Sequence, residues 1–235
     1  MKSEFMSFDY EQQLYEKGLN PLFGEYRQTF NIRPIPYGNR NKEQFKASVQ
    51  EYFKDIHYYF YDEVKVEIDL YLNEQRRYET PDSGDLDNYA KLICDALKGK
   101  NGILIDDIQI QRLNISWIDT MKNEHFEVRI FSHPDSFILK DIEFYEMPNG
   151  LYYPISDKLW TVDGVRDVTA DEKGAIQKIL FEVLKGVRKK RHILHQKGKQ
   201  GTEAYYEYMK AHLVLRGYNK NRLLENGFKL CAIKM

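Results

Sequence analysis

Four aspartates and one lysine set the chemistry this sequence could perform. Asp85 and Asp87 stand two residues apart, Lys91 follows Asp87 by four, and the pair Asp106-Asp107 comes later in the chain. In extended backbone, side chains two apart point to the same side. Two carboxylates so placed can hold one hard divalent cation, while Leu86 between them turns into the core. Asp106 and Asp107 close the short apolar run Ile103-Leu104-Ile105. Neighbours in a strand face opposite sides, so one of that pair is expected to join the others directly. Gathered carboxylates repel and raise one another's pKa. A bound Mg2+ or Mn2+ removes that cost, and with a phosphate in its shell it can polarise the phosphate and activate water.

Each residue also has a plainer role. Asp87 or Asn88 could be the N-cap of the helix that follows, and both roles fit if Asn88 caps while Asp87 turns outward. Lys91 lies four residues from Asp87 and from Asp95, the spacing of a weak surface ion pair. Asp106-Asp107 alone would more often mark a turn. A D-x-D pair also occurs in phosphatases and glycosyltransferases, which need a buried apolar strand immediately before it. Here the turn cluster Thr80-Pro81-Asp82-Ser83-Gly84 precedes the acids instead.

The elements that must position these residues follow from periodicity. Tyr26 to Ile32 reads as a strand, ended by the prolines and glycine of Arg33-Pro34-Ile35-Pro36-Tyr37-Gly38. Lys42 to about Tyr58 reads as a helix, with Phe45, Val49 and Tyr52-Phe53 at helical spacing. Strict alternation from Val64 to Leu72 predicts a strand with Val64, Val66, Ile68, Leu70 and Leu72 on its core face. Tyr89, Leu92, Ile93, Ala96 and Leu97 form an amphipathic helix that Gly99 ends. Two strands follow, near Ile108 to Trp117 and Phe126 to Phe131. This order implies an α/β or α+β fold, a small mixed sheet with packed helices.

A boundary near His133-Pro134-Asp135 divides a domain over residues 1–135 from a mainly helical region over 136–235. In the second part, 136–163 reads as strands and turns and 171–196 as a long helix. Ile176, Ile179, Leu180, Val183, Leu184 and Val187 make that helix's apolar stripe. A second helix is expected over roughly 202–216, and residues 1–25 read as a loosely attached lead-in.

The charge balance is nearly even, −1 over 235 residues, so composition does not itself announce a nucleic-acid binder. Only Cys94 and Cys231 could supply thiols, and they lie far outside any metal-ligand spacing. They read as reduced thiols of a cytoplasmic protein. No stretch approaches the roughly 20 apolar residues of a membrane span, and the first residues lack the apolar segment of a signal peptide.

The composite pattern resembles the RusA family of Holliday-junction resolvases, endonucleases of bacteria and their phages. The family pattern, D-x-D-N-x-x-K, then D-A-L in the same helix, then D-D and a Q-[IV] step, is matched by Asp85-Leu86-Asp87-Asn88, Lys91, Asp95-Ala96-Leu97, Asp106-Asp107 and Gln109-Ile110. The resemblance runs from about Tyr26 to Phe131. It implies a homodimer that cuts opposing strands of a four-way DNA junction with Mg2+ or Mn2+, in recombination, repair or phage DNA processing. It further implies that Asp85, Asp87 and Asp107 bind metal, with Asp106, the first member of the acidic pair, as a further candidate ligand. Lys91 would be the catalytic lysine that stabilises charge on the phosphate. The Lys/Arg-Pro-Arg cluster that often follows the family's first strand is replaced here by Arg33-Pro34-Ile35-Pro36-Tyr37-Gly38-Asn39-Arg40, which rearranges the DNA grip there.

Other basic residues could meet phosphates despite the small net charge. Arg76 and Arg77 precede the acidic turn, and Lys185, Arg188, Lys189, Lys190 and Arg191 continue to Lys197 and Lys199 without an acid among them. A solvated helix face normally mixes signs, which favours a nucleic-acid contact for the second group. Two other readings remain: a catalytically idle DNA-binding or phage-assembly protein, and a metal-dependent phosphatase or nucleotide hydrolase. Retention of Lys91 beside all the acids speaks against the first, and the Pro/Gly turn before Asp85 against the second.

Overall fold

The structure, a computed structural model, describes residues 24–80, 84–133, 136–147, 150–161, 164–198, 202–203 and 216–231. Most of the expected lead-in, Pro81 to Ser83, Pro134-Asp135, Lys199 and most of the helix expected over 202–216 lie outside these residues. The chain falls into two compact units, residues 1–140 with 162–164, and residues 141–161 with 165–235.

The first unit is built on a four-stranded mixed sheet ordered β1-β5-β3-β4. Its strands are β1 (Glu25–Phe30), β3 (Val64–Asn73), β4 (Ile110–Thr120) and β5 (His125–Phe131). Strands β3 and β4 are parallel, whereas β5 runs antiparallel to both β3 and β1. The alternation read in β3 is realised without a break: Val64, Val66, Ile68, Leu70 and Leu72 are buried and the residues between them are not. Burying one such side chain stabilises by about 2 kcal/mol, so a one-residue slip that exposed all five would cost on the order of 10 kcal/mol. That penalty fixes the register.

Helices α1 (Lys42–Gln50) and α3 (Leu86–Leu97) contribute to the same core as this face of the sheet. Phe30 stacks on Phe126 with centroids 4.7 Å apart, and Phe45 reaches the same ring at 5.8 Å. All five residues of the periodicity read for α3, from Tyr89 to Leu97, are buried. Gly99 ends the helix with φ at +89°, the left-handed conformation expected of a C-terminal glycine.

Three local departures are informative. The helix expected to reach Tyr58 stops at Gln50, tightens into a 3-10 turn over Glu51–Phe53, and releases Tyr58 into strand β2 (Tyr58–Phe60). β2 pairs with β6 (Phe137–Leu139), a partner nearly eighty residues away that no local pattern signals. A short helix, α2 (Glu74–Glu79), follows β3; it buries no residue and therefore carries no apolar periodicity. Ile108, read as the start of a strand, instead belongs to a 3-10 turn over Asp107–Gln109.

The second unit holds a three-stranded sheet ordered β11-β7-β8, from β7 (Ile142–Glu146), β8 (Tyr152–Ser156) and β11 (Leu230–Cys231). Strands β9 (Lys158–Thr161) and β10 (Gly164–Asp167) form a separate pair. The long helix α4 (Ala170–Gln196) follows, and a short helix α5 (Lys220–Glu225) precedes β11. The expectation of a mainly helical region is thus met only in part, since a sheet forms much of its core. Leu184 joins Tyr145, Met147, Tyr153 and Ile155 in that core, with Leu180 packed against it. Of the apolar stripe read for α4, Leu184 and Val187 are buried, while Ile176, Ile179 and Val183 are exposed.

Candidate active site

Asp85 is the N-cap residue of α3, in extended conformation, and its side chain makes no capping bond. Its carbonyl accepts the Asn88 N–H at 3.0 Å instead. The cap is therefore neither Asp87 nor Asn88. Asp87 lies inside the first helical turn, so the D-x-D pair straddles a helix start rather than lying in a strand. Both carboxylates are exposed, and no ion pair involving either occurs among the described residues.

The loop Arg33 to Gly38 holds this helix start in place. A Cβ added at Gly84 would come within 2.7 Å of the Pro36 Cβ, so the residue before Asp85 must be glycine for the loop to close over it. The Tyr37 N–H donates to the Asn88 carbonyl at 3.1 Å. The Lys91 ammonium sits 3.9 Å from the Tyr37 ring centroid, and Lys42 approaches the same ring at 4.9 Å. The prolines thus fix a tyrosine that orients Lys91. Lys91 is exposed and forms no ion pair with Asp87 or Asp95 among the described residues.

The second acidic pair occupies the other end of α3. Asp106 is fully buried, caps the 3-10 turn by accepting from the Ile108 N–H at 3.1 Å, and forms a reciprocal capping box with Gln109. Asp107 is half-buried, and its carboxylate receives Lys98 Nζ at 2.8 Å. Lys98 makes a second ion pair of 2.8 Å with Asp95, so one ammonium bridges two carboxylates. Asp106 also accepts from the backbone and Asp107 from Lys98, yet the two neighbouring carboxyl groups meet each other rather than facing opposite sides as a strand would place them. Burial pushes the Asp107 pKa up, the hydrogen bond with Asp106 adds to that, and Lys98 opposes it. The Cys94 thiol beside them is pushed up to about 12, by burial first and then by Asp107 and Asp95, so it is inert as a nucleophile.

Eight residues of helix separate Asp87 from Asp95, about 12 Å along the axis. The two acidic groups therefore lie at opposite ends of α3. Among the described residues, no three acidic, histidine or cysteine side chains are placed to hold one metal ion. The donors are chemically right for Mg2+ or Mn2+, but their placement within one chain does not complete a ligand set.

Two residues that the sequence left without a role hold the second acidic pair in place. Gln109 is fully buried. Its Oε1 accepts the N–H groups of Ile105 at 2.8 Å and Asp106 at 3.0 Å. Its Nε2 donates to the carbonyls of Phe60 at 2.7 Å and Asp62 at 3.0 Å. It ties the acidic turn to β2. Lys98 was legible only as the i+3 neighbour of Asp95; its bridge to Asp107 depends on the turn that follows, where a Cβ at Gly102 would fall 2.2 Å from the Leu97 carbonyl.

The basic residues are distributed unevenly. Arg76 is held by Glu124 at 2.8 Å, and Arg33 meets the same carboxylate at 2.8 Å. Arg77 pairs with Asp119 and lies over the rings of Tyr78 and Trp117, 4.9 and 4.8 Å from their centroids. Arg40 is exposed in the loop before α1. Lys185, Arg188, Lys189, Lys190 and Arg191 are exposed along α4, where Lys185 pairs loosely with Glu182 at 3.7 Å.

The family described as endodeoxyribonuclease RusA matches residues 25–131. Over these residues the chain is similar to the RusA family. The match begins at the first residue of β1 and ends at the last of β5, and those two residues, Glu25 and Phe131, are paired in the sheet. The matched stretch thus contains the complete four-stranded sheet with helices α1 and α3, and the family it resembles is described as one of endodeoxyribonucleases. Both acidic groups, Lys91 and Gln109 lie within it. The basic face of α4 lies outside it. No curated protein matches the chain.

Proposed function

We propose that this protein is an endonuclease that resolves four-way DNA junctions, or closely related branched DNA, by hydrolysing phosphodiester bonds. The observation that carries the reading is the RusA match over the sheet that positions Asp85, Asp87 and Lys91 at one exposed end of α3. Lys91 is directed by Tyr37 rather than neutralised by an aspartate, which leaves its charge available to a phosphate. Asp85 and Asp87 supply hard oxygen donors beside it. Asp107, held by Lys98 at the far end of the helix, belongs to the proposed set through the family resemblance. A requirement for Mg2+ or Mn2+ and a homodimer are part of the same proposal. The described residues of one chain gather no complete ligand set, so the metal requirement rests on the donor chemistry and the family resemblance.

The experiment is cleavage of labelled junction, fork, linear duplex and single strand, with Mg2+, Mn2+, Ca2+ or excess chelator. Junction cutting that needs Mg2+ or Mn2+, stops with chelator, and is lost in Asp85→Asn and Asp87→Asn is expected. Ca2+ should permit binding with little cutting. Undiminished nicking in chelator would remove the metal. Release of phosphate from mononucleotides without junction cutting would replace the nuclease reading with a phosphatase.

A further inference from the structure

A pocket of about 550 Å3 opens in the first unit where the end of α1 meets the turn after α3. Lys54, Lys100 and Lys140 line it, together with the polar side chains of Gln50 and Asn101. The acid in its wall, Glu51, is already paired with Lys54 at 2.6 Å.

Lys140 is the unusual member. Its backbone is fixed by an N–H bond to the His57 carbonyl at 2.8 Å, immediately after β6 pairs with β2. Its half-buried ammonium lies 5.1 Å from the Tyr59 ring centroid and, among the described residues, makes a single long bond, 3.4 Å, to the Phe53 carbonyl. An ammonium has three N–H donors, so this leaves donor capacity unspent on a residue that lines the pocket. No ion pair between Lys140 and a carboxylate occurs among the described residues, and burial lowers its pKa to about 8. A lysine that served only to cap the Phe53 carbonyl would gain nothing from a cavity or from two more lysines around it. The walls are held from behind: the Tyr59 hydroxyl donates to the Lys100 carbonyl at 2.7 Å, and Gln50 Nε2 to the Lys98 carbonyl at 3.4 Å.

We propose that this pocket seats a phosphate-type oxyanion, gripped by Lys140 from inside and by Lys100 and Lys54 at its rim. A tetrahedral oxyanion supplies acceptors for the unspent ammonium donors and returns the charge that burial costs. The site is separate from the acids at the start of α3. It also depends on a residue, Lys140, beyond the stretch that matches the RusA family. The anion could be a phosphodiester of bound DNA or a free phosphate group. The seat stands apart from the nuclease reading, because binding alone tests it.

The test follows the lysine side-chain signals of the full chain by NMR while inorganic phosphate, pyrophosphate or a short DNA duplex is added separately. Saturable movement of the Lys140 signal is expected. Movement with pyrophosphate identifies a free-phosphate seat, and movement with duplex alone identifies a backbone contact. Lys140→Met, which keeps the apolar stem, and Lys100→Gln, at an exposed position, should each weaken that binding about tenfold while melting as the parent does. A Lys140 signal that none of the three ligands moves, or parental binding by both variants, would overturn the proposal.

Discussion

At the scale of single residues, the decisive contrast is between Lys91 and Lys98. They lie on one helix, yet Lys98 is spent on Asp95 and Asp107 whereas Lys91 rests on an aromatic face. A lysine acting on the phosphate matters most as charge develops in the transition state, so Lys91→Ala should slow single-turnover cleavage by about 10²-fold, on the order of 3 kcal/mol. If it only packs on Tyr37, the same variant should cut almost normally and melt slightly lower. Measuring rate and melting on one preparation separates the two. Gln109 makes the opposite prediction, a structural one. Gln109→Ala would strand two buried N–H groups and two carbonyls, costing about 3 kcal/mol, while Lys91→Ala should cost well under 1 kcal/mol of stability. Equal melting temperatures for parent and Gln109→Ala would refute the tie between the acidic turn and β2.

At the scale of elements, what the sequence made legible is what a local period encodes. The β3 alternation and the α3 stripe were read residue by residue, because each buries one face against the same core. What it hid was set by distant partners. Tyr58, Tyr59 and Phe60 follow Tyr52 and Phe53 in an aromatic-rich stretch after α1, and the pairing with β6 makes them a strand. The acids were legible by type and spacing, but their placement was not: a helix start separates Asp85 from Asp87 in conformation, and the length of α3 separates both from Asp107. The basic run on α4 carries an element-scale prediction. The helix is anchored by a capping box between Thr169 and Glu172, with Arg166 bonded to both Glu172 oxygens at 2.9 and 2.7 Å. Its basic turns can therefore change without unfolding its start. Replacing Arg188, Lys189, Lys190 and Arg191 with Ala should weaken DNA binding and flatten its salt dependence, by about 0.9 in slope for each phosphate no longer neutralised. An unchanged slope would make the run a solvated face.

At the scale of the whole molecule, Glu143 in the second unit and Asp107 in the first titrate in opposite senses, and this predicts how the regions around them respond to acid. In the second unit, Glu143 on β7 receives Lys173 Nζ at 2.7 Å, the Tyr145 hydroxyl at 2.7 Å and the Lys229 ammonium. Lys173 also pairs with Asp157, so the start of α4, β7 and the chain entering β11 meet at one carboxylate. These bonds, that from Lys173 foremost, lower the Glu143 pKa from 4.5 to about 2. A lowered carboxylate pKa means the unfolded chain takes up a proton first as acid is added. The contribution of Glu143 is therefore complete above about pH 4.5 and is lost as the pH falls toward 2. Asp107 in the first unit has the reverse sign: its raised pKa means that the folded form holds the proton more tightly, so acid does not weaken the fold through it. Hydrogen exchange read peptide by peptide from pH 5 downward should show β7, β11 and the first turns of α4 opening before β3 and α3. Glu143→Gln should remove most of that difference, and cost the second unit about 2 kcal/mol at neutral pH, since a neutral amide cannot replace three bonds to a charge. Simultaneous opening of both regions in the parent, or an unchanged acid profile in Glu143→Gln, would place the acid sensitivity elsewhere.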